Sequence, residues 1–110
     1  MKRGEVGWVS FQSSIQGEIK KTRPAVIISN NVSNKYLNRV QIVPLTSKVG
    51  KVYPSEAVVT FKGKKNKAMA DQLTTVSKER LTNQAGTLSN SDMRKVEMVV
   101  KIQLALSKLK

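Results

Sequence analysis

A chain of 110 residues with 39% hydrophobic content is long enough to bury one core and short for two, so a single domain over 1–110 is expected. Twenty lysines and arginines against seven acids leave a net charge of +13, an imbalance that predicts a polyanionic partner, with nucleic acid the leading class. The absence of cysteine excludes a disulfide framework, a zinc–cysteine site and a thiol nucleophile, and the absence of histidine removes the commonest general base.

The chain begins Met1-Lys2-Arg3-Gly4-Glu5 with no apolar stretch behind its positive charges. No segment approaches the ~20 apolar residues that span a bilayer, so a cytoplasmic protein without a membrane role is expected. Residues 6–11 (Val-Gly-Trp-Val-Ser-Phe) are β-rich and predict a first strand, with Trp8 and Phe11 available to the core. Residues 12–22 are polar, carry Gly17 and the adjacent Lys20 and Lys21, and lack periodicity. A link of that length predicts a loop with a binding role. In Thr22-Arg23-Pro24-Ala25-Val26-Ile27-Ile28-Ser29-Asn30 the second strand is placed at 24–29. Proline has no N–H for a sheet ladder and forces the preceding residue to be extended, which holds Arg23 at a sheet rim.

Residues 30–35 are turn formers, and 39–46 alternate well enough for a third strand, in which Pro44 implies an edge or a bulge. A loop over 48–54, a fourth strand over 56–61, a tight polar turn over 62–66 and a fifth strand over 67–76 follow. Residues 77–80 suit a helical turn, and 81–88 are either irregular or a short sixth strand. Ser89-Asn90-Ser91-Asp92 supplies N-cap residues, after which Met93, Val96, Val99, Val100, Gln103, Leu104 and Ser107 recur at helix spacing. One amphipathic helix therefore ends the chain.

Short links favour antiparallel neighbours, so the economical topology is a meander. A meander aligns Phe11, Arg23, Thr46, Glu56, Asp71 and Gln72 on one rim. The loops of that rim add Glu18, Lys20, Lys21, Ser47, Lys48, Lys51 and Tyr53. Arginine offers a planar fork that matches phosphate oxygens and is always charged in proteins. Such a rim would bind phosphodiesters, and it would cut RNA if a base were present, because the ribose 2′-OH supplies the nucleophile. Arg23 would give the charge, Thr46 a hydrogen bond to the phosphate, and Glu18 or Asp71 the base. The plainer readings are a surface ion pair for Arg23 and simple strand propensity for Thr46. Composition and geometry alone favour binding over catalysis.

Several motifs occur in an order that resembles the MazF/PemK family of toxin endoribonucleases over nearly the whole chain. They are Arg3-Gly4-Glu5-Val6-Gly7-Trp8-Val9-Ser10-Phe11, Gly17-Glu18, the Thr22 to Asn30 string, and Val43-Pro44-Leu45-Thr46-Ser47. Tyr53-Pro54-Ser55-Glu56-Ala57-Val58 and Ala70-Asp71-Gln72-Leu73-Thr74-Thr75-Val76-Ser77-Lys78-Glu79-Arg80-Leu81 complete them. The resemblance implies a mostly β (α+β) fold: a small, SH3-like, partly open antiparallel β-barrel with a C-terminal α-helix, paired as a homodimer. It implies the toxin of a type II toxin–antitoxin system that cleaves single-stranded mRNA at short sequences without metal or other cofactor. The products would be 2′,3′-cyclic phosphate and 5′-hydroxyl ends, and an acidic antitoxin would block the groove. Arg23 matches the family's catalytic arginine, Thr46 its catalytic threonine or serine, Glu18 an acidic loop position and Asp71 the aspartate of the Asp-Gln motif. Lys20, Lys21, Ser47, Lys48, Lys51, Tyr53 and Gln72 are the expected RNA-binding residues. Two positions depart from the pattern. Gln16-Gly17-Glu18 stands where relatives commonly read Gly-Ser-Glu or Gly-His-Glu, and Met69 where some place an arginine. The general base is therefore open. Two alternatives remain beside cleavage: a non-catalytic RNA-binding barrel, and a gyrase-poison toxin of the same general fold.

Overall fold

The computed structural model of the chain describes residues 1–11 and 21–106. In chain order its strands are β1 (Glu5–Phe11), β2 (Lys21–Ile27), β3 (Arg39–Thr46), β4 (Glu56–Phe61), β5 (Lys64–Met69), β6 (Thr74–Ser77) and β7 (Leu81–Thr87). Helix α1 (Asn31–Tyr36) joins β2 to β3, α2 (Asn90–Gln103) follows β7, and 3₁₀ turns at Ala70–Gln72 and Lys78–Arg80 flank β6. All strand pairs are antiparallel, in the order β4-β5-β3-β2-β1-β7 with β6 also beside β3. This is the expected partly open β architecture with one helix after its last strand.

The meander holds through β1–β2–β3 and then breaks, since β6 also returns to β3 and β7 to β1. β3 pairs with β5, through Leu45 with Ala68 and Thr46 with Lys67, and β4 lies outside β5 at the sheet edge. The β4–β5 connection is shorter than the sequence suggests. Lys62 and Gly63 both have positive φ, 52° and 74°, the pattern of a two-residue hairpin turn whose twist matches its strands. Lys64, Lys65 and Asn66 thus begin β5 rather than belong to the turn. The long strand expected over 67–76 is split by the 3₁₀ turn at Ala70–Gln72, closed by Leu73 N–H donating to Ala70 O.

Pro44 lies in a central strand and not at an edge. β6 covers the flank of β3 from Arg39 to Ile42 and β5 covers Leu45 and Thr46, so the proline falls where one partner gives way to the other. The segment expected as a turn over 30–35 forms α1 because Asn30 Oδ1 caps it, accepting from Ser33 N–H at 2.8 Å. The buried Asn34 side chain then fixes it by donating to Ser29 O at 2.9 Å.

Strand alternation divides the apolar side chains between the two faces of the sheet. Val6, Val26, Val43 and Leu45 join Val59, Phe61, Met93 and Val96 in one cluster. Val9, Ala25, Ile27, Val40, Ile42 and Val76 form the other. β1, β2 and β3 are therefore covered on both sides. α2 is capped by Ser89, which accepts from Asp92 N–H at 3.0 Å. It is tied to β4 by the buried Asp92 carboxylate, which accepts from Thr60 N–H at 2.8 Å. Gly86 of β7 leaves room for the Phe61 ring, 3.3 Å from where a Cβ would stand, so side chains close the seam between the two edge strands. Among the described residues no helix is long and apolar enough to cross a membrane.

Candidate active site

The register of β2 against β3 pairs Ala25 with Pro44, and its continuation sets Arg23 across from Thr46. Arg23 is itself paired with Val9 on its other side, and Thr46 with Lys67. Arg23 is thus the third residue of β2, inside the strand and not at its entrance. The two side chains meet: Arg23 Nη1 lies 3.5 Å from Thr46 Oγ1. Thr46 is only 9% exposed, and its hydroxyl oxygen also accepts from Lys48 N–H at 3.2 Å. A hydroxyl has two lone pairs and one proton. Both lone pairs of Thr46 face donors, so what it offers a bound ligand is its proton.

Around this pair runs a cleft of about 540 Å³. Its floor and walls include Trp8 and Pro24 of neighbouring strands, Leu45 and Ser47 beside Thr46, and Phe61, Lys62, Lys64 and Asn66 from the β4–β5 hairpin. Apolar and aromatic surface next to the cations of Arg23, Lys62 and Lys64 suits single-stranded nucleic acid, whose bases stack while its phosphates need charge. Half-buried Trp8 lines this cleft and belongs to neither face's apolar cluster, a correction to its expected core position.

The placement of β5 between β3 and β4 changes the membership of the rim. Pairing β3 with β5 brings the hairpin turn to the Thr46 end of the sheet, so Lys62, Lys64 and Asn66 reach the cleft. Glu56 and Asp71 do not line it. Asp71 is exposed in the 3₁₀ turn between β5 and β6, alongside the middle of β3, and Gln72 follows it there. Sequence reasoning missed the hairpin cations and Trp8. The signal was the run Lys62-Gly63-Lys64-Lys65-Asn66-Lys67, which reads as a solvated turn until its strand partner is known.

Ser47 lines the cleft, and Lys48 follows it, exposed. Lys51 and Tyr53 are also exposed and sit on the loop that leaves Thr46, with Lys51 Nζ 5.3 Å from the centre of the Tyr53 ring. Glu18 and Lys20 lie outside the described residues, as does the side chain of Lys21. Among the described residues no three carboxylates gather in a way that would hold a metal ion.

The profile of the PemK-like, MazF-like toxins of type II toxin–antitoxin systems matches residues 2–104. The chain is 31% identical to the endoribonuclease MazF9 of Mycobacterium tuberculosis, over 96% of this chain and 98% of that protein. Its fold is similar to that of MazF from Deinococcus radiodurans, with a TM-score of 0.84 at 22% identity over 96% of this chain and 97% of the other. It is also similar to a mycobacterial endoribonuclease solved in complex with its cognate antitoxin, with a TM-score of 0.80 at 23% identity over 99% of both chains. A profile match over nearly the whole length places it: the chain belongs to the PemK-like, MazF-like toxins of type II toxin–antitoxin systems.

Proposed function

We propose that the chain is an endoribonuclease that cleaves single-stranded mRNA at the Arg23–Thr46 pair. The observation that carries this reading is the contact between the two side chains, 3.5 Å apart on adjacent strands in a basic cleft. The ribose 2′-oxygen attacks the adjacent phosphorus, a base removes its proton, and the bond to the 5′-oxygen breaks with return of a proton to that oxygen. The ends are a 2′,3′-cyclic phosphate and a 5′-hydroxyl. Negative charge grows on the non-bridging oxygens during attack, and that is where Arg23 and the Thr46 proton act. Fixed donors of this kind stabilise the transition state more than the ground state.

For the base we favour Glu18 over Asp71. Glu18 belongs to the segment joining Phe11 to Lys21, two residues paired across β1 and β2 two positions from Arg23. Asp71 is placed beside the middle of β3. The partners proposed are mRNA, an acidic antitoxin drawn by the +13 charge, and a second copy of the chain. The last is supported by exposed Met98, Ile102, Leu104 and Leu106, and by the groove of about 570 Å³ that Met98 shares with Ala57 and Val58. The test is incubation of purified protein with long single-stranded RNA in EDTA, followed by end mapping. Intact RNA would leave a barrel that binds RNA without cutting and a gyrase-poison toxin, and inhibition of a topoisomerase would pick out the latter.

A further inference from the structure

Lys67 is the cross-strand neighbour of Thr46, yet it is not among the residues that line the cleft. The side chain is 11% exposed, and its ammonium lies 3.2 Å from Glu56 Oε1 and 3.1 Å from Lys51 O, to which it donates. It also stands 6.0 Å from the centre of the Tyr53 ring. Glu56, with 10% side-chain exposure, accepts from Tyr53 N–H at 2.9 Å through the same oxygen, and its own N–H donates to Tyr53 O at 2.9 Å. A buried cation is costly unless paired and hydrogen-bonded, and here both conditions are met. The pair does little for charge complementarity to RNA, because both members are withdrawn from solvent.

What the pair does hold is the loop between Thr46 and Glu56. One end is fixed by Lys48 N–H on Thr46 Oγ1, the middle by Lys51 O on Lys67, and the far end by Tyr53 on Glu56. That loop carries an exposed aromatic ring, Tyr53 at 53%, already decorated by the Lys51 cation. An exposed ring on a pinned loop that starts at the cleft residue Ser47 is a platform for one base of a single strand whose phosphates enter the cleft. We infer that Lys67 and Glu56 are positioning residues that fix this loop, so that Tyr53 stacks on a base flanking the cut phosphate and selects which sequences are cleaved.

The inference rests on the endoribonuclease reading, and the test separates the two. Long single-stranded RNA is digested with wild type, Lys67→Met and Tyr53→Ala, the ends are mapped, and KM and kcat are measured on an oligonucleotide carrying the preferred wild-type site. Each variant should raise KM about tenfold, the scale of one lost base–aromatic stack, with kcat within about twofold. Each should also flatten the preference between strong and weak sites. Lys67→Arg, which restores a donor to both Glu56 and Lys51 O, should recover most of the preference. Tyr53 is exposed, so its variant folds even if Lys67→Met does not. Unchanged KM and an unchanged cleavage map for Tyr53→Ala would overturn the inference while leaving cleavage intact. RNA left whole by the wild type would overturn both.

Discussion

Replacing Thr46 with valine isolates the hydroxyl, because valine keeps the β-branch, the volume and the strand propensity of threonine. The lost Oγ1 accepts at 3.2 Å from Lys48 N–H and at 3.5 Å from Arg23 Nη1. A net hydrogen bond is worth about 0.5–1.5 kcal/mol, which bounds the loss near 3 kcal/mol. Both contacts are long and Lys48 is exposed, so water recovers part of it. The expected destabilisation is about 1 kcal/mol, a fall of about 5 °C in the melting midpoint. Even a domain at the low end of ordinary stability, about 5 kcal/mol, would keep more than ~99% of the protein folded at 25 °C. The rate should fall far more, by about 10²- to 10³-fold, the usual cost of removing one donor aimed at transition-state charge. Single-turnover cleavage of an oligonucleotide with a mapped site measures it, with a thermal melt alongside. Thr46→Ser keeps the proton and should stay within about tenfold of wild type. A valine variant that cleaves within about threefold of wild type would refute the role given to Thr46.

Asp92→Ala should lower stability by about 1–3 kcal/mol, because it orphans the Thr60 amide that the carboxylate holds at 2.8 Å, while cleavage at 20 °C stays unchanged. Asp71→Asn should leave the cleavage rate within about twofold and Glu18→Gln should lower it by about 10²-fold or more, the scale of a lost general base. The reverse pattern would return the base to Asp71. Lys64→Ala should weaken binding to RNA that lacks the 2′-OH at the cut position, and should reduce the log–log salt slope by about 0.7, one phosphate's share on a single strand. An unchanged slope would remove Lys64 from the phosphate path.

Much of the fold is legible because local signals and tertiary demands agree. The strands at 39–46 and 56–61 are observed as β3 (Arg39–Thr46) and β4 (Glu56–Phe61), where β-branched residues alternate between turn formers. α2 is bounded by its serine cap and its helix-spaced apolar residues. What was not legible is pairing at a distance. Nothing in the nine residues between Thr46 and Glu56 says whether the chain returns to the neighbouring position or skips one, yet that choice decides whether Glu56 or the Lys62–Lys64 turn reaches the cleft. The same gap hid the reason for Pro44, which is an exchange of partners and not an edge. Arg23 and Thr46 came together in either topology because β2 and β3 are neighbours in both.

Cleavage of RNA phosphodiester bonds at the Arg23–Thr46 pair is open to one direct measurement. Wild type and Arg23→Ala are incubated with long single-stranded RNA in EDTA, and both new ends of every fragment are chemically identified. A limited set of cuts is expected, with 2′,3′-cyclic phosphate upstream and 5′-hydroxyl downstream, formed by Arg23→Ala about 10²- to 10³-fold more slowly. Cuts bearing 5′-phosphates, or equal cleavage by Arg23→Ala, would contradict catalysis by this pair.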